Sequence, residues 1–199
     1  MHTPEVLLWE KFISGDETVF SQLYKLCYRD LYAYGLSLGM DQELVKDTIQ
    51  DIFFKLYTKK IHLKNNISLK PFLFRSMKNA FINHLIKDGR EIPLVDGEYD
   101  FSFSYTIEDS IISDESQRIL INRVKLIMSS LSPRQTEVVY LRFLHEMDFV
   151  EIAEVLGLGV QAARNLLFRA LKKMREEHPD MYMLVSSYLT LWLCNLLIG

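Results

Sequence analysis

The chain has 199 residues, 49% hydrophobic and 25% charged, which suits one folded domain or two small ones and excludes a disordered polar chain. With a formal net charge of −3 and a pI near 6.0 it is no bulk polycation, so any contact with nucleic acid has to come from local patches. Charge is segregated accordingly: residues 1–90 carry +3, residues 91–130 carry −5 and residues 131–199 carry −1.

Thr3 and Pro4 form an N-cap and first-turn pair, predicting a short helix to Ile13 that buries Val6, Leu7 or Leu8, Trp9 and Phe12. Ser14-Gly15-Asp16 ends it. From Glu17, apolar residues recur at helical spacing to Leu38, with Gly35 weakening the last turn and Gly39 a C-cap. Asp41 caps a third helix through Tyr57, with Leu44, Val45, Thr48, Ile49, Ile52, Phe53 and Leu56 inward and Asp47, Gln50 and Asp51 outward. Lys59 to Asn66 reads as a polar loop. Ser68 caps a fourth helix through Ile86, whose core side is Leu69, Phe72, Leu73, Met77, Phe81, Ile82 and Leu85. Lys70, Arg75, Lys78, Asn79, Asn83, His84 and Lys87 lie at its edges or outside. Phe72, Phe74 and Phe81 are either core or platforms on which unstacked bases lie.

The pattern then changes. Residues 89–113 hold Gly89, Pro93, Gly97, several acids and the aromatic run YDFSFSY, and read as a flexible linker, either a loosely packed interdomain loop or one whose aromatics dock on a neighbouring surface. A helix is expected from Glu115 to Ser130, and Ser132-Pro133 opens another. Phe149 to Arg175 has the pattern of a helix-turn-helix. Ile152, Val155 and Leu156 share one face, Ala153 fits a close helix crossing, and Gly157 supplies a tight exit. The second helix turns Ala163, Leu166, Leu167, Ala170, Leu171 and Met174 inward. Gln161, Arg164, Asn165, Arg169, Lys172, Lys173 and Arg175 remain outside, a face suited to a major groove and its phosphates. The fold class expected is all-α: two small helical domains, residues 1–88 and 114–178, joined by the linker 89–113, the second a four-helix domain containing the helix-turn-helix.

Residues 179–199 form an apolar stretch with no charge after Asp180. They are expected to form a C-terminal helix that packs across both domains or enters a hydrophobic groove, rather than one that spans a membrane. The five histidines are scattered and Cys27 and Cys194 lie far apart, so no metal site, cofactor, disulfide scaffold or catalytic residue is expected. Glu151 and Glu154 read as a solvated helix face. The short acidic N-terminus is unlike a signal peptide, and the cysteine usage suits a cytoplasmic, reducing location.

In order along the chain, VFSQLYKLCYRDLYAYGL with DQELVKDTIQDIFFKLY, then LKPFLFRSMKNAFINHLIK, resemble regions 2.1 to 2.2 and 2.3 to 2.4 of the sigma-70 family. LSPRQTEVVYLRFLHEMDFVEIAEVLGLGVQAARNLLFRALKKMR resembles region 4. Together they are similar to an extracytoplasmic-function RNA polymerase sigma factor, of the short type found in Bacteroidetes. The resemblance implies no enzymatic activity. It implies instead a subunit that binds core RNA polymerase, recognises the −35 and −10 elements of promoter DNA and assists melting, with a membrane-bound anti-sigma factor as a further partner. Asp47, Gln50, Asp51 and Phe54 match the polymerase-binding surface. Asn65, Asn66, Arg75, Lys78, Asn79, Asn83, His84 and Lys87 match the −10 and single-strand surface. Gln161, Arg164, Asn165, Arg169, Lys172 and Lys173 match the −35 helix. The chain departs from the family in placing Gly159 and Ala162 where Ser or Thr is common, and Lys46-Asp47 where an acidic pair is frequent.

Two other readings compete. One is a helix-turn-helix regulator with an N-terminal sensing or dimerisation domain, against which the basic face of the fourth helix argues. The other is a membrane-associated helical adaptor, supported by the tail alone. In the free protein the two domains are expected to pack together and hide their basic faces.

Overall fold

A computed structural model describes residues 4–58, 68–89, 99, 101–102 and 124–179. The first unit has four helices. Helix α1 spans Pro4–Ile13 and buries Trp9 and Phe12, while Val6 and Leu7 stay exposed. Asp16 accepts hydrogen bonds from the Thr18 amide at 3.0 Å and hydroxyl at 2.5 Å, starting a 3₁₀ turn over Glu17–Val19 that runs into α2, Phe20–Ser37. Asp41 accepts from the Leu44 amide at 2.9 Å and starts α3, Gln42–Thr58. Helix α4 spans Leu69–Lys87. Its expected cap, Ser68, makes no side-chain cap; the hydroxyl donates instead to Glu151 at 3.1 Å.

The second unit begins, among the described residues, with a helical stretch over 124–129, where the sequence predicts a helix from Glu115 to Ser130. Helix α5, Pro133–Phe143, starts with a reciprocal capping box between Ser132 and Gln135. Helix α6, Phe149–Leu156, starts with a second one between Asp148 and Glu151. Gly157 ends α6 at φ 64°, and Val160–Glu177 is α7. The turn is closed by the Leu158 amide bonding to the Ala153 carbonyl at 2.9 Å.

In the first unit α2 packs against α1, α3 and α4; in the second, α7 packs against α5 and α6. The units are not separate. Helix α4 lies along α6, so the helix that completes the first core also faces the helix-turn-helix. Tyr99 and Phe101 are buried, and the Ser102 amide bonds to the Ser37 carbonyl at 2.8 Å. Of the two readings of this stretch, a loosely packed loop or docked aromatics, these two residues follow the second and dock against both units at once: the Phe101 ring lies 6.0 Å from that of Tyr34 and 5.4 Å from that of Tyr140. The loop 59–66 and the tail from residue 180 lie outside the described residues.

Gly35 lies within the last turn of α2, where it permits a close helix approach. A Cβ at this position would stand 2.8 Å and 3.0 Å from the two γ-carbons of Val45 on α3, and 3.4 Å from the sulfur of Met77 on α4. Val45 is fully buried and β-branched, so it has little freedom to yield. Gly35→Ala is therefore expected to lower stability by roughly 1–3 kcal/mol through overpacking. In a Val45→Ala background the same change is expected to be neutral or stabilising, because only the helix-propensity gain of about 1 kcal/mol is left. Denaturant midpoints of the four proteins check the sign change.

Candidate nucleic-acid interface

The helix-turn-helix keeps its reading face free. Ala163, Leu166, Leu167, Ala170 and Met174 of α7 are buried against α5 and α6, and Leu171 is half-buried. Gln161, Arg164, Asn165, Arg169 and Lys172 are exposed, and Lys173 is partly so. Gln161 donates to Asn165 at 3.1 Å, one helical turn on. Lys172 and Lys173 lie 3.7 Å and 3.8 Å from Glu176 and Glu177. Both are solvent-exposed pairs that bind weakly, so the ammonium groups stay available to a phosphate.

Two features of this face escape the sequence pattern. Phe168 is 68% exposed in the midst of Arg164, Arg169 and Lys172, an apolar contact surface where the helical period alone predicts only polar outer residues. Phe149, the first residue of α6, has the Arg142 guanidinium 5.2 Å from its ring centroid and that of Arg164 at 5.3 Å. Arg142 also donates to the Met147 carbonyl at 2.7 Å, and burial holds its guanidinium below its ordinary value, with Asp148 and Glu151 opposing. Arg164 thus rests on a ring anchored at the capped start of α6.

On α4, Arg75, Asn79, Asn83 and Lys87 recur every fourth residue and are exposed, forming one stripe. His84 is half-buried and 3.3 Å from Asp88. Asn65 and Asn66 lie outside the described residues. Phe74 and Phe81 are buried and Phe72 half-buried, so in this arrangement they act as core.

Lys78 corrects the expectation of an outward side chain: it is buried. Its Nζ donates to both carboxylate oxygens of Glu137 on α5, at 2.9 Å and 2.7 Å, and to the Tyr99 hydroxyl at 2.6 Å. The Tyr34 hydroxyl on α2 donates to Glu137 at 2.6 Å, and the Tyr99 hydroxyl donates to its other oxygen. Burial depresses the Lys78 ammonium, with the charge and hydrogen bonds of Glu137 opposing. Burial likewise raises Tyr34 and Tyr99, and the neighbouring Glu137 carboxylate adds to the rise. Both phenols therefore remain protonated donors.

The contact between units also engages Glu151 and Glu154, which correct the reading of a merely solvated face: Glu151 accepts from Ser68, and Glu154 pairs with Arg75 at 3.5 Å. His145 of the second unit stands 3.5 Å from Asp30 of α2. Burial pushes the Asp30 carboxyl up, but His145, with Lys70 and Arg29, outweighs it and holds the group below the usual carboxylate range. The units do pack together, but the basic face expected to be hidden stays open on α7. Lys78 is the one predicted DNA-facing residue among the described ones that the seam buries.

On α3, Asp47, Gln50, Asp51 and Phe54 are all exposed. Phe54 is 68% exposed and borders an open groove with Tyr24, Gln50, Asp51 and Tyr57. This is an aromatic patch edged by acid and amide, remote in sequence from the basic helix. Burial pushes the Cys27 thiol up to about 12, with Glu5 and Asp30 adding to it, so it is an inert core residue. Among the described residues no group of three or more His, Cys, Asp or Glu is placed to hold a metal, and no helix is long and apolar enough to cross a membrane.

A helix-turn-helix with an open basic reading helix, joined to a second helical unit with its own polar and aromatic surfaces, defines a DNA-binding protein of two modules. Residues 23–91 match the model of sigma-70 region 2, and residues 127–176 match that of sigma-70 region 4. The chain is 25% identical over 154 residues to the ECF RNA polymerase sigma factor SigM of Bacillus subtilis, covering 77% of this chain and 91% of that protein. It is 25% identical to the ECF RNA polymerase sigma-E factor of Escherichia coli K12, covering 84% of this chain and 90% of that one. Among solved structures it resembles CnrH in complex with the cytosolic domain of CnrY, with TM-score 0.54, 22% identity, and 85% and 94% of the two chains covered. It also resembles the sigma factor RpoE in complex with the anti-sigma factor NepR from Bartonella quintana, with TM-score 0.55, 24% identity, and 79% and 94% covered. The chain belongs to the sigma-70 family of RNA polymerase sigma factors, in its extracytoplasmic-function group, and is not an enzyme.

The stacked pair at the start of α6 is open to measurement. A double-mutant cycle between Phe149→Leu and Arg164→Ala is expected to give a coupling of about 0.5–1 kcal/mol in unfolding free energy. Zero coupling means that ring and guanidinium do not sense each other.

Proposed function

We propose that the chain is a promoter-specificity subunit that divides three contacts among its helices. Helix α7 reads the −35 duplex through Gln161, Arg164, Asn165, Arg169, Lys172 and Lys173. Helix α4, with the loop that holds Asn65 and Asn66, takes the −10 element and its separated strand through Arg75, Lys78, Asn79, Asn83, His84 and Lys87. Helix α3 binds core RNA polymerase through Asp47, Gln50, Asp51 and Phe54. The observation that carries this reading is the open face of α7: five of its six proposed DNA contacts are exposed and the sixth is partly so, although the two units are docked. A recognition helix inserts that edge into the major groove, where Arg reaches guanine and Lys meets phosphate. The exposed Phe54 beside Asp51 supports the polymerase contact, because an isolated apolar surface patch rimmed by polar groups marks a protein interface.

Two of the similar structures were solved with a bound protein: CnrH with the cytosolic domain of CnrY, and the sigma factor RpoE with the anti-sigma factor NepR. An anti-sigma factor, membrane-bound in the form the family resemblance implies, is the partner proposed here by analogy, with the cytoplasm as the location.

Run-off transcription with purified core polymerase over a promoter-fragment library tests the reading as a whole; no start sites above those of core alone refutes it. Within it, Asp51→Arg is expected to weaken core binding in a competition assay without changing the thermal midpoint. Arg164→Ala is expected to cost about 1–3 kcal/mol in affinity and relax specificity at one base position. Lys172→Ala is expected to weaken all sequences alike and to reduce the salt slope by about 1.

A further inference from the structure

Three acidic side chains of the second unit lie on polar groups of α4 or its start: Glu137 on Lys78, Glu154 on Arg75 and Glu151 on Ser68. The two outer contacts are exposed. The central one is buried and fully furnished with donors, the Nζ of Lys78 and the hydroxyls of Tyr34 and Tyr99 converging on one carboxylate. We propose that Glu137 is an internal stand-in for a DNA phosphate: it fills an anion site on the region 2 domain, holds the domains docked, and yields that site to a backbone phosphate of the separated promoter strand when they part. The inference rests on the reading of α4 as the strand-facing helix given above.

The chemistry of the site is that of an oxyanion. A carboxylate oxygen and a phosphate oxygen accept the same charge-assisted hydrogen bonds from an ammonium and a phenol. Lys78 and Tyr34 belong to the first unit, so they stay behind when α5 withdraws, and the site persists without Glu137. Lys78 directly precedes Asn79 and lies three residues after Arg75, so its long stem needs only a rotamer change to bring Nζ to the edge of the exposed stripe. Neither charge can be left alone in the closed seam, because an uncompensated buried ion is strongly disfavoured. Undocking and uptake of an external anion by Lys78 are therefore coupled. The coupling is reciprocal: DNA on α4 drives the domains apart, and docking drives DNA off α4. Helix α7 lies outside this competition. The free protein can thus meet duplex DNA with α7 while the Lys78 anion site of its single-strand surface is withheld.

The test uses the full chain and a fluorescein-labelled single-stranded DNA of about 20 nucleotides and mixed sequence, long enough to cover a strand-binding groove. Affinity is read by anisotropy at low salt, alongside the radius of gyration by X-ray scattering. Glu137→Ala is expected to raise affinity on the order of tenfold, because a competent state that was a minor fraction becomes the major one, and to expand the protein. Lys78→Met added to Glu137→Ala is expected to remove the gain in affinity and to reverse the expansion at least in part, because no cation is left either to hold a phosphate or to force the seam open. Tyr99→Phe, which takes one donor from the carboxylate without altering either domain core, is expected to act in the same direction as Glu137→Ala and by less. It decides the matter if Glu137→Ala does not fold. Unchanged affinity and size in Glu137→Ala, or in Tyr99→Phe where that variant decides, overturns the proposal. So does a gain in affinity that survives Lys78→Met. Asn79→Ala with Asn83→Ala serves as the control. If single-strand binding ignores those residues, the reading of α4 fails; if it depends on them but not on Glu137, only the present inference fails.

Discussion

A carboxylate with no exposure to solvent governs how the two halves of this protein meet. Glu137 accepts four hydrogen bonds from three residues, and those residues come from α2, α4 and the segment between the domains. Such a group is tolerated only because every donor arrives together. Removing one partner of a buried ion pair typically costs about 3–5 kcal/mol, while exchanging both for apolar residues is often neutral. The pair therefore adds little net stability over a greasy seam of the same shape. It adds dependence: Tyr34, Lys78, Tyr99 and Glu137 are all satisfied in one arrangement and not in a partial one.

The aromatic packing around the cluster explains why that arrangement is dry. Tyr34 lies 4.7 Å from the Phe74 ring and 6.0 Å from that of Tyr140, and Phe101 contacts both tyrosines. His145 adds edges to Phe74 and Tyr140 at 4.6 Å and 4.8 Å. Rings from α2, α4, α5 and the linker thus wall off the carboxylate, and exclusion of water strengthens each polar contact inside. The linker takes part as a gasket: Tyr99 brings a hydroxyl to the charge, and Phe101 brings a face to the rings. A tether with these two aromatics is not merely a length of chain, because where it lies depends on whether the domains are together.

Much of the architecture was legible because it follows from local rules. Helix ends were marked by Ser132-Pro133 and Gly157, and the inward set of α7 by the helical period. The outward set of α3 and of α7 followed from the same period read on its other face. What escaped the sequence lies in contacts between residues far apart along the chain. Lys78 has the composition of a surface residue, and its partner is 59 residues away. Glu137 sits two residues after the cap residue Gln135, where an acid near a helix N-terminus is ordinary. Nothing local separates a buried acid from a solvated one. Gly35 shows the same limit: its helical period reads only as a weak last turn, and its role as a contact depends on Val45 across the helix pair. The resemblance to the sigma-70 family supplied roles for surfaces but not the docked arrangement, since a family pattern records which residues face a partner and not which of them first face each other.

The division of exposure between the two reading surfaces follows from where the acidic residues of the second unit stand. Glu137, Glu151 and Glu154 are on α5 and α6, and all three face α4; the basic residues of α7 project elsewhere. One small domain thus carries an acidic side shaped to a neighbour's cationic helix and a basic side suited to a duplex. Its net charge says nothing of this, because the two faces cancel. The acidic side can engage α4 only while α4 has no other anion, and the basic side is indifferent to that choice. On the proposed reading, docking therefore withholds the Lys78 anion site of α4 and leaves α7 open, an asymmetry that a purely apolar seam between the same helices would have no means of tying to the presence of DNA.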